Sequence, residues 1–188
     1  MLESHEHLRE SNGGGFHFGR AIARNPWQSS SHETMTPEQR LVELKLELPP
    51  IPKPGGIYKP VVVVGNLAYL SGHGPVQMDG SLIKGRLGLD LELEQGRVAA
   101  RQVGLTLLAA LRFHFGSLNR VRRLVKSLGM VNCTPDFLDH PKVINGYSEL
   151  MSEVFGPDNG IGARSAVGFP VLPGNIAVEI EAIFEIEP

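Results

Sequence analysis

The strongest alternation of apolar and polar positions lies at the C-terminal end of the chain. Ile176, Val178, Ile180, Ala182, Phe184 and Ile186 share one face, and Ala177, Glu179, Glu181, Ile183, Glu185 and Glu187 share the other. A period of two predicts a half-buried strand. Pro173-Gly174-Asn175 carries turn chemistry immediately before it, and the apolar segment before that turn has Arg164 at its mouth. Further upstream, Tyr58–Val64 and Leu67–Ser71 are apolar runs separated by Gly65-Asn66, which predicts a hairpin. A third short strand is expected over Pro75–Met78, ending in Asp79-Gly80, so the sheet begins as a meander. Val121–Asn132 reads as a buried strand.

Helical spacing takes over elsewhere. Thr36 caps a helix with Pro37 at its first position and Gln39 completing a capping box, and the stripe Leu41, Leu44, Leu48 carries it to just before Pro49-Pro50. Leu91–Phe115 is the longest pattern: Ala99, Val103, Leu107, Leu111 and Phe115 recur at four-residue steps, Val98, Leu105, Leu108 and Ala109 fill in, and Gly116 stops it. Asp136–Phe155 is a further helix, started by His140-Pro141, with Val143, Ile144, Tyr147, Leu150, Met151, Val154 and Phe155 inward. Strands alternating with helices in this order predict an α+β fold with two helices covering one face of a mixed sheet. The other face needs a cover too, and self-association into a homo-oligomer supplies it.

Composition narrows the classes. The 188 residues suffice for one core, and the formal net charge of -2 argues against a surface dominated by nucleic-acid binding. No apolar run approaches the ~20 residues of a membrane span. The single cysteine, Cys133, excludes an internal disulfide, fits a reducing, cytoplasmic setting, and reads as a buried structural thiol with no general base nearby in sequence. Residues 1–34 hold four of the seven histidines, Gly13-Gly14-Gly15, Ser29-Ser30-Ser31 and Trp27, with no lasting period. They are expected to be a disordered extension to a single domain over 35–188. His5, His7, His17 and His32 lack the spacing of a metal site, and Glu3, Glu6 and Glu10 disagree with a transit peptide.

The candidate chemistry gathers around Arg164. If the segment after it pairs antiparallel with the strand after Asn175, Arg164 returns beside Glu179 and the two flank one pocket. A guanidinium fork suits a carboxylate ligand; the alternative is a weak surface ion pair. Ser71-Gly72-His73-Gly74 ends the second strand, either as a plain bulge or as a place where backbone approaches a ligand. His73 has no carboxylate partner in sequence.

Gly162-x-Ala-Arg164-Ser165, Leu172-Pro173 and Val178-Glu179-Ile180-Glu181-Ala182 together resemble the signature of the Rid (YjgF-type) family of reactive-intermediate deaminases. Tyr58, the hairpin from Gly65 to Gly72 and the Asn145 helix resemble the rest of it in the family's order, over roughly residues 36–188. The resemblance implies a chorismate-mutase-like fold and a homotrimer packed through the uncovered sheet face, with sites between subunits. It implies Arg164 as the clamp for the carboxylate of a small 2-imino acid, Tyr58, Ser71 and Gly72 as pocket lining, and Asn145 as a polar contact. It also implies Glu179 as the group that orients water, and no metal or organic cofactor.

The implied reaction is hydrolysis of 2-aminoacrylate or 2-iminobutanoate to a 2-keto acid and ammonia. A carboxylate beside an arginine stays ionised, which suits the role given to Glu179. Two positions depart from the family pattern: Ala166 stands where the family often has cysteine, and His73 where it usually has glutamine. The rival readings are a non-catalytic trimer that binds a small carboxylate through Arg164, and, ranked last, a ribonuclease, for which neither a histidine pair nor a basic groove is visible.

Overall fold

The computed structural model describes residues 35–187, so the expectations placed on residues 1–34 lie outside them. Local chemistry acts first at the N-terminal helix α1, Pro37–Glu43. Gln39 donates its backbone N–H to Thr36 Oγ1 (3.3 Å), and the Gln39 side chain accepts from the Thr36 N–H (2.8 Å), which closes the capping box. The helix ends earlier than its leucine stripe predicts. Lys45 takes φ 52, and the Leu46 N–H returns to the Leu41 carbonyl, which brings Leu46 and Leu48 onto the core without a helix.

β1 (Val61–Val64) and β2 (Leu67–His73) form the expected hairpin, with Val64 opposite Leu67. The meander stops there. Pro75–Met78 is not a strand but makes a single bridge, Val76 to Leu82, around the turn at Gly80. The free edge of β2 is instead occupied by the C-terminal strand β5 (Val178–Ile186), so no edge remains for a third meander strand.

α2 (Leu93–Phe115) buries Ala99, Val103, Leu107 and Leu111 and ends at Gly116 with φ 77, as its pattern predicts, although Val98 faces outward. β3 (Val121–Asn132) follows, and α3 begins at His140 rather than Asp136 and runs to Phe155. The two long helices cross closely. A Cβ at Gly146 would overlap the Arg97 carbonyl, and the ion pairs Arg97–Glu149 (2.8 Å) and Arg101–Glu153 (2.7 Å) flank the crossing. One helical turn, α4 (Pro157–Gly160), leads to β4 (Ala163–Phe169).

The sheet order is β1-β2-β5-β3-β4. β4 pairs parallel to β3, and β5 lies antiparallel between β2 and β3. The expected antiparallel pairing of β4 with β5 is therefore absent. α3 carries the chain back over the sheet before β4, and such a crossover delivers a strand parallel to the one it left. The turn at Pro173–Asn175, with Gly174 at φ 62 and Asn175 at φ 57, then carries the chain past the end of β3 instead of folding a hairpin. Buried Asn132 pins that passage, donating to Asn175 Oδ1 (2.9 Å) and to the Ile176 carbonyl (3.1 Å).

Both long helices lie on the face of Val178, Ile180, Ala182, Phe184 and Ile186, all buried. The opposite face carries Tyr69 and Ser71 of β2, Lys126, Leu128 and Met130 of β3, and Glu179, Glu181 and Ile183 of β5, which are only partly covered or exposed.

Candidate functional site

Arg164 sits opposite Ser127 in the β3–β4 register, so its side chain emerges on the helix face at the outer edge of the sheet. Three acceptors from α3 hold the guanidinium. Nη1 donates to Asn145 Oδ1 (3.0 Å) and Ser148 Oγ (2.9 Å), and Nη2 donates to the Pro141 carbonyl (3.3 Å). Asn145 and Ser148 are three apart on one helix and so share a face. Three of the five N–H groups are thus committed and two remain for a ligand. Among the described residues no carboxylate lies within ion-pair distance of Arg164. The cation fronts a groove of about 520 Å³ shared with Leu124, Ser127, Asn145 and Ile161.

Glu179 lies elsewhere. It opposes Met130 on β3, three positions from Ser127, and projects from the other face of the sheet. There it borders a cavity of about 510 Å³ together with Tyr58, Ser71, Gly72 and His73. Within one chain Arg164 and Glu179 form neither the shared pocket nor the surface ion pair, because β3 stands between their strands.

The cavity is built from a bulge and a strap. Register slips between Leu70 and His73, so β2 carries an extra residue where it meets β5. The glutamate carboxylate lies over Gly72, and a Cβ there would overlap Glu179 Oε1. The connector before β1 closes the other side: Ser71 Oγ donates to the Lys59 carbonyl (2.8 Å), the Ser71 N–H donates to the Pro60 carbonyl (3.0 Å), and Tyr58 Oη accepts from the Gly55 N–H (3.3 Å).

Burial pushes the Glu179 carboxyl above the ordinary carboxylate range, and neighbouring Glu181 pushes it further the same way. Among the described residues of one chain, no arginine offsets this shift. His73 is driven the other way, its pKa lowered mainly by burial and only partly restored by its hydrogen bond to the Ser71 backbone.

The six expected site residues therefore divide into two groups: Tyr58, Ser71, Gly72 and Glu179 in the cavity, and Asn145 with Arg164 at the opposite edge. Ser148 was not anticipated, though its spacing from Asn145 was the available signal. Cys133 also departs from expectation, since His140 Nε2 stands 3.3 Å from its sulfur. Burial nevertheless raises the thiol pKa, so the pair is a protonated thiol beside an imidazole rather than an activated thiolate.

A mixed five-stranded sheet backed by two helices on one face, with its chemistry on the strand ends and edges, defines a chorismate-mutase-like α+β protein. The chain belongs to the family described as YjgF/chorismate mutase-like, putative endoribonuclease, whose model matches residues 38–185. It is 36% identical over 146 residues to Protein TCP17 of Trypanosoma cruzi, covering 78% of this chain and 91% of that protein. The crystal structure of Atu1372 from Agrobacterium tumefaciens is similar at 37% identity and a TM-score of 0.73, covering 81% of this chain and 93% of that one. The crystal structure of a putative endoribonuclease from Shewanella oneidensis matches at 33% identity and a TM-score of 0.77, over 81% of this chain and 100% of that one.

Proposed function

We propose that the protein is a cofactor-independent deaminase of small 2-imino acids and their enamines, working in clefts between copies of a homotrimer. The observation that carries this reading is the separation of two complementary half-sites. Arg164 is oriented by α3 with two N–H groups uncommitted at an exposed edge, and Glu179 lies over Gly72 in a cavity on the open face. A neighbouring copy packed against that open face brings the arginine of one chain to the glutamate of the next. Partly exposed Leu128, Met130 and Ile183 supply apolar area for such packing.

In the assembled cleft the substrate carboxylate takes the free N–H groups of Arg164, which sets C2 toward Glu179. Water held by the glutamate adds to C2, and the C=N π electrons move to nitrogen. The resulting carbinolamine expels ammonia as its hydroxyl becomes the ketone. The substrate is already electrophilic, so positioning and proton transfer suffice. The arriving guanidinium also offsets the desolvation that raises the Glu179 pKa in the single chain.

The ribonuclease description attached to the family fits the cavity less well. A phosphodiester chain needs a basic track, and Lys53 is the one lysine or arginine among the described residues lining the Glu179 cavity. The test is keto-acid release from 2-iminobutanoate generated in situ by a threonine dehydratase, with semicarbazide trapping residual imine. Wild type should accelerate release and Arg164→Ala should not; no acceleration by wild type removes the deaminase reading.

A further inference from the structure

The floor of the Arg164 groove holds two hydroxyls that the single chain leaves without partners. Lys126 and Leu128 share the open face of β3, so Ser127 between them points to the helix face, where its β5 partner is the buried Ala182 and its β4 partner is Arg164. Ser127 is 1% exposed, and its Oγ makes no hydrogen bond of ordinary geometry with a described residue. The described side-chain atoms that are both partnerless and sealed in protein are Arg86 Nε, Asn132 Oδ1 and Tyr147 Oη. Ser127 Oγ is not one of them. It meets open space, and the space on its face of the sheet is the groove that Ser127 lines together with Arg164.

The second hydroxyl stands behind the first. Tyr147 of α3 is 0% exposed, and its Oη lies beside the Ser127 hydroxyl without closing a full hydrogen bond. Burial pushes the phenol pKa up, so Tyr147 keeps its proton and remains a donor. A buried hydroxyl without a partner costs stability, and nothing in the single chain offsets that cost. Two such hydroxyls in series, beside a cation with uncommitted N–H groups, suit a negatively charged oxygen in the groove. Tyr147 O–H then donates to Ser127 Oγ, and the Ser127 proton turns outward.

Resting on the carboxylate clamp of the deaminase reading, we propose that Ser127 is a substrate-binding residue whose hydroxyl donates to the carboxylate held by Arg164, and that Tyr147 is the residue that positions it. A carboxylate offers about four lone-pair sites, more than the free N–H groups of Arg164 fill. The substrate carboxylate persists unchanged through water addition and loss of ammonia. Ser127 therefore holds ground state and transition state alike, and its contribution falls on binding rather than on the chemical step.

Calorimetric binding of the stable product 2-oxobutanoate tests this apart from turnover, alongside steady-state kinetics on 2-iminobutanoate and thermal melting without ligand. Ser127→Ala should weaken 2-oxobutanoate binding and raise KM by about tenfold, with kcat within about twofold of wild type. Tyr147→Phe keeps the ring, removes only the hydroxyl, and should show the same split to a smaller degree. Because neither hydroxyl has a partner in the free chain, the ligand-free Tm of both variants should match or exceed that of wild type. A clearly lowered Tm or a failure to fold in Ser127→Ala assigns the residue to packing and overturns the proposal. Unchanged Kd and KM in that variant overturn it too while leaving the deaminase standing. A wild type that binds 2-oxobutanoate through Ser127 yet does not hydrolyse the imine supports the binding role and removes the deaminase reading. No binding of 2-oxobutanoate by wild type overturns the binding role whatever the turnover.

Discussion

Arg164 and Glu179 project from opposite faces of the sheet, with β3 between their strands, although only residues 170–177, which include the turn at Pro173–Asn175, separate β4 from β5 along the chain. A site that uses both must draw them from different copies. Arg164→Ala and Glu179→Gln should each be inactive alone. After mixed refolding in equal amounts, about a quarter of the clefts in random cyclic trimers join an intact arginine to an intact glutamate. Imine hydrolysis should return to roughly that fraction of wild type. A mixture as inactive as its parents would show that the two residues act within one chain or not at all.

Asn145 and Ser148 should act through the arginine. Removing either loosens a guanidinium whose orientation they set, at a cost of ~1.4 kcal/mol in substrate binding for a tenfold effect. Asn145→Ala and Ser148→Ala should each raise KM about tenfold with kcat less affected, as steady-state kinetics on 2-iminobutanoate would show. Arg164→Lys should lose more, because an ammonium cannot reproduce the two-pronged contact.

Gly72→Ala places a methyl group where Glu179 Oε1 now lies. The glutamate end is flexible, so the chain should fold with a Tm change of no more than ~2–4 °C, about 1 kcal/mol. Turnover should fall at least about tenfold because the carboxylate is displaced from the cavity.

Gly146→Ala meets backbone instead, the Arg97 carbonyl at the α2–α3 crossing. Two helices cannot part locally as a side-chain end can, so overpacking should cost roughly 1–3 kcal/mol. Thermal melting reads this as a fall of about 2–4 °C per kcal/mol. An unchanged Tm would mean the helices are less tightly apposed than they are here.

Stability should also report His73. Its folded pKa is lowered from the ordinary 6.5, so the unfolded chain binds its proton more readily. The contribution is present in full above pH 6.5 and is lost as the pH falls from there through the lower folded value. Wild type should therefore lose stability across that window in a denaturant titration, and His73→Gln should lose less.

What the sequence determined by itself was chemistry that acts within a few residues. The Thr36–Gln39 capping box, the Gly65-Asn66 hairpin, the left-handed stop at Gly116 and the alternating face of β5 all follow from side chains and dihedrals close along the chain. The residues of the family resemblance were legible for the same reason, as was the grouping of Ser71 and Gly72 at one strand end. Only the tertiary structure decided which strands pair. β5 took the edge of β2 that a third meander strand at Pro75–Met78 would have used, and α3 delivered β4 parallel to β3, so Arg164 parted from Glu179. The same long-range packing set His140 against Cys133, gave Arg164 its Ser148 partner and raised the Glu179 pKa through burial. Edge competition, crossover geometry and burial join segments distant in sequence, and no local pattern encodes their outcome.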